Sequence, residues 1–205
     1  MVLIRLFDII LSLLLIIFFL PVYLIISIII SFDNSGTIFF SQKRVTKGQR
    51  LFNFVKFRSM KNSSSSNTGD EKIYLTLDLK ELKMIRNKYK TTKTNDVRIT
   101  NFGKFLRKTS LDEIPQFFSV LKGDMSLVGP RPDPPIQRAD YRPDDWLTRC
   151  KVKSGITGLA QVNGRSTGGL EKRIMNDIYW AENKSFFLYL KILLKTPIVL
   201  LKNSN

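Results

Sequence analysis

At 205 residues the chain is long enough for one domain with a sizeable core, and little more. Its 33 lysines and arginines against 17 aspartates and glutamates give a formal charge of +16 and a pI near 10.1, so its partners should be anionic: nucleic acid, a lipid surface or phosphorylated substrates. With no histidine and a single cysteine, Cys150, an intramolecular disulfide is excluded, a structural zinc site has no ligands to draw on, and carboxylates lead as acid, base or nucleophile. Any metal should be hard and oxygen-bound, magnesium foremost.

From Ile9 to Phe32 there are 24 residues without a charge, mostly Leu, Ile, Val and Phe, against the roughly 20 that a helix needs to cross a bilayer core. The run exceeds a signal-peptide core and no small-residue cleavage site follows it, so it reads as a retained membrane segment. Pro21 stands near its middle, where it removes one helical hydrogen bond and pushes Leu20 away from α geometry. Two topologies follow: a kinked single span, or a re-entrant hairpin broken at Leu20 and Pro21. Arg5 and Asp8 lie one turn apart before the run and are placed to pair at the interface. Lys43, Arg44, Lys47 and Arg50 follow it, so residues 33 onward should be cytoplasmic under either topology.

Next comes a compact β-rich stretch. Residues 37–42 read as a short strand, Lys47 to Gln49 as a turn, and Leu51 to Phe57 as a second strand, a hairpin that ends in Lys56, Phe57, Arg58, Ser59 and Met60. Asn62 to Gly69, with four consecutive serines, is expected to be a flexible loop. Over residues 71–90, Ile73, Leu75, Leu77 and Leu79 alternate as in a strand, whereas Leu82, Ile85 and Tyr89 recur as in a helix; helix is expected for the second half. Residues 41–110 hold 18 Lys plus Arg and 5 Asp plus Glu. Such a run is usually a solvated face, but beside a membrane segment it also meets anionic headgroups. No zinc-finger spacing or RNA-recognition signature accompanies it, so nucleic acid is not an expected partner.

The segment Ser110, Leu111, Asp112, Glu113, Ile114, Pro115, Gln116 places two adjacent carboxylates where a helix should begin, and Arg131 follows nineteen positions after Asp112. A carboxylate pair with fixed arginines suits chemistry at a phosphate, where negative charge must be both created and held. The plainer alternative is that both carboxylates only cap the helix. Leu111 to Leu121 reads as that helix, stopped by Lys122 and a left-handed Gly123. Ser110 and Glu113 have capping-box spacing, and Pro115 prefers a first turn, which would move the start a few residues later. The macrodipole there favours ionised carboxylates. Val128 to Pro135, with four prolines and a glycine, is a stiff loop that holds Arg131. Ser154 to Arg165 is glycine-punctuated and could offer backbone N–H groups to an anion, a weakly specific signal. Asp177 to Glu182 reads as helix. Phe186 to Leu201 is apolar but interrupted by Lys191, Lys195 and Pro197, which favours a helix lying in the membrane interface over a core helix with a basic tail.

Read together, these motifs resemble the bacterial sugar transferases, the small monotopic phosphoglycosyl transferases that begin membrane-linked glycan assembly. The likeness runs from Arg5, Leu6, Phe7 and Asp8 through the apolar run and Lys56 to Met60. It continues through Arg98 to Thr100, Gly103 to Lys108, Ser110 to Gln116, Lys122 to Ser126, Gly129 to Pro132, Gly155 to Gln161, and Asp177 with its aromatic neighbours. The resemblance implies an α+β, mainly helical fold: a re-entrant membrane helix hairpin over residues 1–36, then a cytosolic catalytic domain over 37–205 with a small β-hairpin and interfacial amphipathic helices. Residues 61–95, unlike the family core, would be a variable, flexible insertion.

The implied reaction moves a phosphosugar from a UDP-sugar to undecaprenyl phosphate, releases UMP, depends on magnesium and passes through a covalent enzyme intermediate. Asp112 would be the nucleophile, and Glu113 would position magnesium or handle a proton. Lys56, Arg107, Arg131 and Asp177 would serve the phosphates and substrate. The expected location is the cytoplasmic face of the bacterial inner membrane, monotopic, with a single-pass span and homo-oligomerisation left open. Ile4, Leu20 and Ser154 depart from the family's usual Lys, Ser and Pro; losing the serine hydroxyl at the break removes one way to satisfy freed carbonyls. The competing class is a membrane-tethered basic adaptor without chemistry, for which Asp112→Asn would be silent.

Overall fold

The structure is a computed structural model and describes residues 2–33, 37–61, 71–89, 96–164 and 169–204. Helix α1, Val2–Asp33, contains the whole apolar run. It is the described helix long and apolar enough to cross a membrane. The helix is continuous through Leu20 and Pro21, so no loop separates two arms of the expected hairpin. Proline forfeits one hydrogen bond here, and the turns on either side carry the helix past it.

The sequence of α1 also explains which side faces protein. Ile4, Asp8, Ser12 and Ile16 recur every fourth residue and are buried, and Ile26 and Ile30 resume the stripe, while Leu3, Leu14, Ile17, Phe18 and Leu24 point outward. Both flanks rest on the same domain. Near the N-terminus Arg5 donates to the carbonyls of Val120 and Leu121 at 2.6 and 2.8 Å. Near the C-terminus Ile26 and Ile30 pack with Phe57 and Leu106, and the Tyr23 ring lies 5.1 Å from that of Phe57. Arg5 and Asp8 therefore do not pair with each other as expected. Asp8 is buried and accepts from Ser126 Oγ, the Leu127 N–H and the Tyr189 hydroxyl at 2.9–3.0 Å.

Strands β1 (Phe39–Val45) and β2 (Leu51–Phe57) form the expected antiparallel hairpin, pairing Phe39 with Phe57 and Val45 with Leu51. The turn at Lys47–Gln49 places Gly48 at φ 67°. The serine-rich segment lies outside the described residues. Residues 71–75 form a 3-10 turn, not the strand that their alternation suggests, and α2 follows over Leu79–Lys88, capped by Asp78. Among the described residues no strand pairs with this segment. Instead Tyr74, Leu77, Leu82, Ile85 and Tyr89 pack together on Ile136.

Helix α3 covers Asn101–Thr109 and α4 Gln116–Lys122. The parallel pair β3 (Ser126–Val128) and β4 (Gly155–Thr157) follows, with α5 (Pro143–Arg149) between them in sequence. Helices α6 (Leu159–Val162), α7 (Gly169–Asn183) and α8 (Phe186–Ser204) complete the chain. The main core sets Phe52 and Phe54 of β2 against Val120, Met125, Leu127, Trp180, Tyr189 and Ile192, and Ile4 of α1 joins them.

Asp8→Ala would strand three buried donors at this junction. It is expected to lower unfolding stability by about 2–4 kcal/mol, read as a lower denaturant midpoint of the detergent-solubilised protein with an unchanged slope.

Candidate active site

Asp112 and Glu113 lie on a 3-10 turn, Leu111–Glu113, wedged between α3 and α4. The predicted capping box does not form. Ser110 is the left-handed C-cap of α3 at φ 58°, without a side-chain cap bond, and Pro115 opens α4 in helical geometry. The helix therefore starts late, as the proline requires, while Gly123 at φ 91° ends it as expected. A non-glycine residue in the left-handed region is uncommon and often marks a functional turn. Here the turn sets Asp112 beside Lys56 of β2 and Glu113 beside Arg131 of the proline loop, with Arg107 of α3 acting on Asp112 through its charge.

Lys56 comes from β2, with its ammonium 4.0 Å from Asp112 Oδ2 and 5.6 Å from the Phe40 ring centre. Arg107 comes from the last turn of α3, its Nε donating to Ser59 Oγ at 2.8 Å. Arg131 comes from the proline loop, donating to Glu113 Oε1 at 2.8 Å. Asp112 is 5% exposed. Burial, with Glu113 adding repulsion, pushes its carboxyl up to about 6 against the opposing pull of Lys56, Arg107 and Arg131. The macrodipole argument for a readily ionised Asp112 is thus outweighed by desolvation. Burial likewise lowers Lys56, with Asp112 acting in the opposite sense. Among the described residues no group of three acidic, histidine or cysteine side chains gathers as a metal cluster.

The loop carrying Arg131 is held from several directions. Gly129 donates its N–H to Thr157 O, and Gly155 donates to Pro130 O, both at 2.8 Å. A side chain on Gly155 would run into the backbone of Gly129, and one on Gly129 into Lys153 O. Gly129, Gly155 and Gly158 thus allow close backbone contact, and the N–H groups of Gly129 and Gly155 are committed within the protein rather than offered to an anion. Arg44 donates to Pro132 O at 3.1 Å, and Arg149 donates to Arg131 O.

Beneath the loop lies a buried ionic network. Asp133 meets Arg149 at 3.3 Å, Arg173 at 2.7 Å and the Tyr141 hydroxyl at 2.7 Å. Asp177 meets Arg149 Nε at 3.5 Å. Burial raises Asp177 to about 6, with Arg149 opposing, whereas Asp133 stays below the usual carboxylate range despite its burial because Arg149 and Arg173 hold it ionised. Of the residues singled out from sequence, Asp112, Glu113, Lys56 and Arg131 share one site. Arg107 bears on it electrostatically. Asp177 shares a cavity wall with Arg131 and also meets Arg149, which holds the loop. Sequence reasoning missed Ser59, Asp133, Arg149 and Arg173 as supports. Nothing local marks Arg149 in α5, because its partners are 16 and 28 positions away in the sequence.

A family model described as bacterial sugar transferase matches residues 1–203. The chain belongs to that family. Its relatives include a protein of Klebsiella pneumoniae named UDP-glucose:undecaprenyl-phosphate glucose-1-phosphate transferase, 39% identical over 94% of this chain and 38% of its own length. An undecaprenyl-phosphate galactose phosphotransferase of Salmonella typhimurium is 38% identical over 98% of this chain and 41% of its own. The sugar transferase EpsL of Bacillus subtilis, called uncharacterized, is 36% identical over 96% of this chain and 86% of its own. The chain thus spans about two fifths of the first two relatives and most of the third.

The raised Asp112 carboxyl carries a stability consequence. The folded protein binds that proton more tightly than the unfolded chain, whose carboxyl titrates near 3.8. Ionisation therefore costs stability as pH rises from about 4 through about 6. Asp112→Asn is expected to be more stable than the wild type at pH 8, by at most about 2–3 kcal/mol, with the gain shrinking towards pH 4. Paired thermal melts across this range would show it.

Proposed function

We propose that this protein transfers a phosphosugar from a UDP-sugar to undecaprenyl phosphate, giving the polyprenyl-diphosphate sugar and UMP as the first membrane step of a bacterial glycan pathway. The observation that carries this reading is the buried carboxylate of Asp112 beside Lys56, with Glu113 and Arg131 next to it. The names of the relatives from Klebsiella and Salmonella supply the acceptor class and, for the former, the UDP-sugar donor class.

In the first step Asp112 Oδ attacks the β-phosphorus of the donor. A phosphorus–oxygen bond to the carboxylate forms, the bond to the bridging oxygen breaks, and UMP leaves with that electron pair. In the second step a phosphate oxygen of the polyprenyl phosphate attacks the same phosphorus and Asp112 is released. A carboxylate raised to about 6 is still mostly ionised near neutrality, while its poor solvation keeps it reactive. Lys56, Arg107 and Arg131 offset charge that gathers on the phosphates, and the Arg131 fork suits a phosphate better than a lysine would.

Magnesium fits this donor set. The ion commonly takes one or two carboxylates and fills its remaining positions with substrate phosphate and water, and Asp112 and Glu113 offer that number. When bound it would supply charge neutralisation for the diphosphate.

The apolar outward face of α1 supports membrane insertion, and the contact of both its flanks with one domain supports a monotopic arrangement. The helix would enter and leave the cytoplasmic leaflet of the inner membrane, setting Asp112 at headgroup depth where the acceptor presents its phosphate. The exposed Phe187, Leu194 and Ile198 of α8 support an interfacial position for that helix as well.

UMP release by the detergent-purified protein, supplied with undecaprenyl phosphate, magnesium and a panel of UDP-sugars, tests the reaction. Turnover is expected with at least one sugar, and Asp112→Asn should abolish it. Donor alone should add the mass of a phosphosugar to the Asp112 peptide. For topology, Val2→Cys and Ile38→Cys placed singly in a Cys150→Ala background should both react with a membrane-impermeant thiol reagent from the cytoplasmic side. Labelling of the two from opposite sides would mean a span.

A further inference from the structure

A cavity of about 280 Å³ opens beside Arg131, with Gln161, Lys172, Arg173, Asn176 and Asp177 also in its wall. Gln161, on α6, is 8% exposed, and neither the oxygen nor the nitrogen of its side-chain amide has a hydrogen-bond partner. A buried amide with both bonds unmade is destabilising, and native proteins rarely keep one without a reason. The same wall carries three cationic side chains, Arg131, Lys172 and Arg173, around one carboxylate, Asp177, which already meets Arg149 at 3.5 Å. A ligand matched to this cavity therefore needs an anionic group together with a neutral edge that has a donor beside an acceptor. A sugar would satisfy the amide and leave the cations unused. A nucleoside monophosphate supplies both features, because the uracil imide sets an N–H next to a carbonyl and pairs with a carboxamide through two hydrogen bonds. Arg131 is common to this cavity and to the Glu113 ion pair, so a phosphate held by it lies next to the reacting carboxylates.

We propose that this cavity receives the uridine monophosphate half of the donor, with the Gln161 amide on the uracil edge and Lys172 and Arg131 on the phosphate. The assignment rests on the UDP-sugar reading given above. Gln161 becomes the residue that holds the leaving nucleotide, and the sugar lies on the Asp112 side of Arg131.

Titrating UMP into the full chain in detergent tests this with a readout independent of turnover. Gln161→Met keeps the side chain's volume but removes both unpartnered polar atoms. It is expected to leave the melting temperature unchanged or higher while weakening UMP binding by roughly tenfold. Lys172→Ala should weaken UMP binding and flatten its salt dependence, whereas Lys191→Ala, which removes the same charge outside this cavity, should change neither. Unchanged UMP affinity in Gln161→Met would overturn the assignment. So would a raised KM for the UDP-sugar without a change in UMP affinity, which would place the sugar at the amide. An active wild type with unaltered UMP binding in Gln161→Met would sink this inference alone, while absence of both UMP binding and turnover in the wild type would sink the donor reading with it.

Discussion

The arrangement depends most on the buried ionic network of Asp133, Arg149, Asp177 and Arg173 beneath the proline loop. Arg149 is 2% exposed, as are Asp133 and Asp177. Charges this deep are tolerable only when matched, and removing one partner leaves another uncompensated in a medium that solvates it poorly. Because Arg149 reaches both carboxylates and also the carbonyl of Arg131, the loop cannot shift without breaking several charged contacts together. The backbone of Arg131 is thereby held, and through the Glu113 ion pair so is the carboxylate turn. A cluster of charges built in this way is held in place by the fold itself, the condition under which fixed charges would stabilise a transition state most effectively.

The long apolar helix α1 is packed into the same framework. Asp8 joins α1 to β3 and α8 through three hydrogen bonds, and Arg5 takes the last carbonyls of α4, the helix that follows the carboxylate turn. At the other flank Ile26 and Ile30 rest against Phe57 and Leu106, neighbours in sequence of Lys56 and Arg107. The segment that would meet the lipid thus buttresses the elements that carry the charged side chains. Helix α1 and the elements around Asp112 are thus one packed unit. Asp112 bears the opposite burden, since its burial works against the ionised form that the proposed chemistry uses. A fold that keeps such a residue gives up stability at that position.

Much was legible along the chain because the relevant forces are local. The hairpin bounds at Leu51 and Phe57, the stop at Gly123, the irregular loop around Arg131 and the helical second half of residues 71–90 follow from alternation, glycine and proline. Misreadings came where a distant partner outweighed a local preference. Ser110 and Glu113 have capping-box spacing, but Arg131 takes the Glu113 carboxylate and Ser110 closes the preceding helix instead. Over Ile73 to Leu79 the alternation left strand and helix open, and the 3-10 turn with its packing on Ile136 decides the matter. Arg5 and Asp8 are one turn apart and still choose partners more than a hundred residues away, because burial against α4 and β3 makes those bonds worth more than an exposed pair.

The sequence by itself determined the strongly basic charge, the apolar helix, the absence of histidine chemistry and the set of carboxylate and basic side chains from which a phosphate site could be drawn. Composition and periodicity are properties of the chain, and they need no partner to be read. Only the tertiary structure decided which of those side chains meet. It set Lys56 and Arg131 beside the carboxylate pair and brought Asp177 and Gln161 to the wall of the cavity next to Arg131. It also raised Asp112 above its ordinary range. Desolvation and the balance of surrounding charge arise from packing among segments far apart in sequence, and no local pattern encodes them.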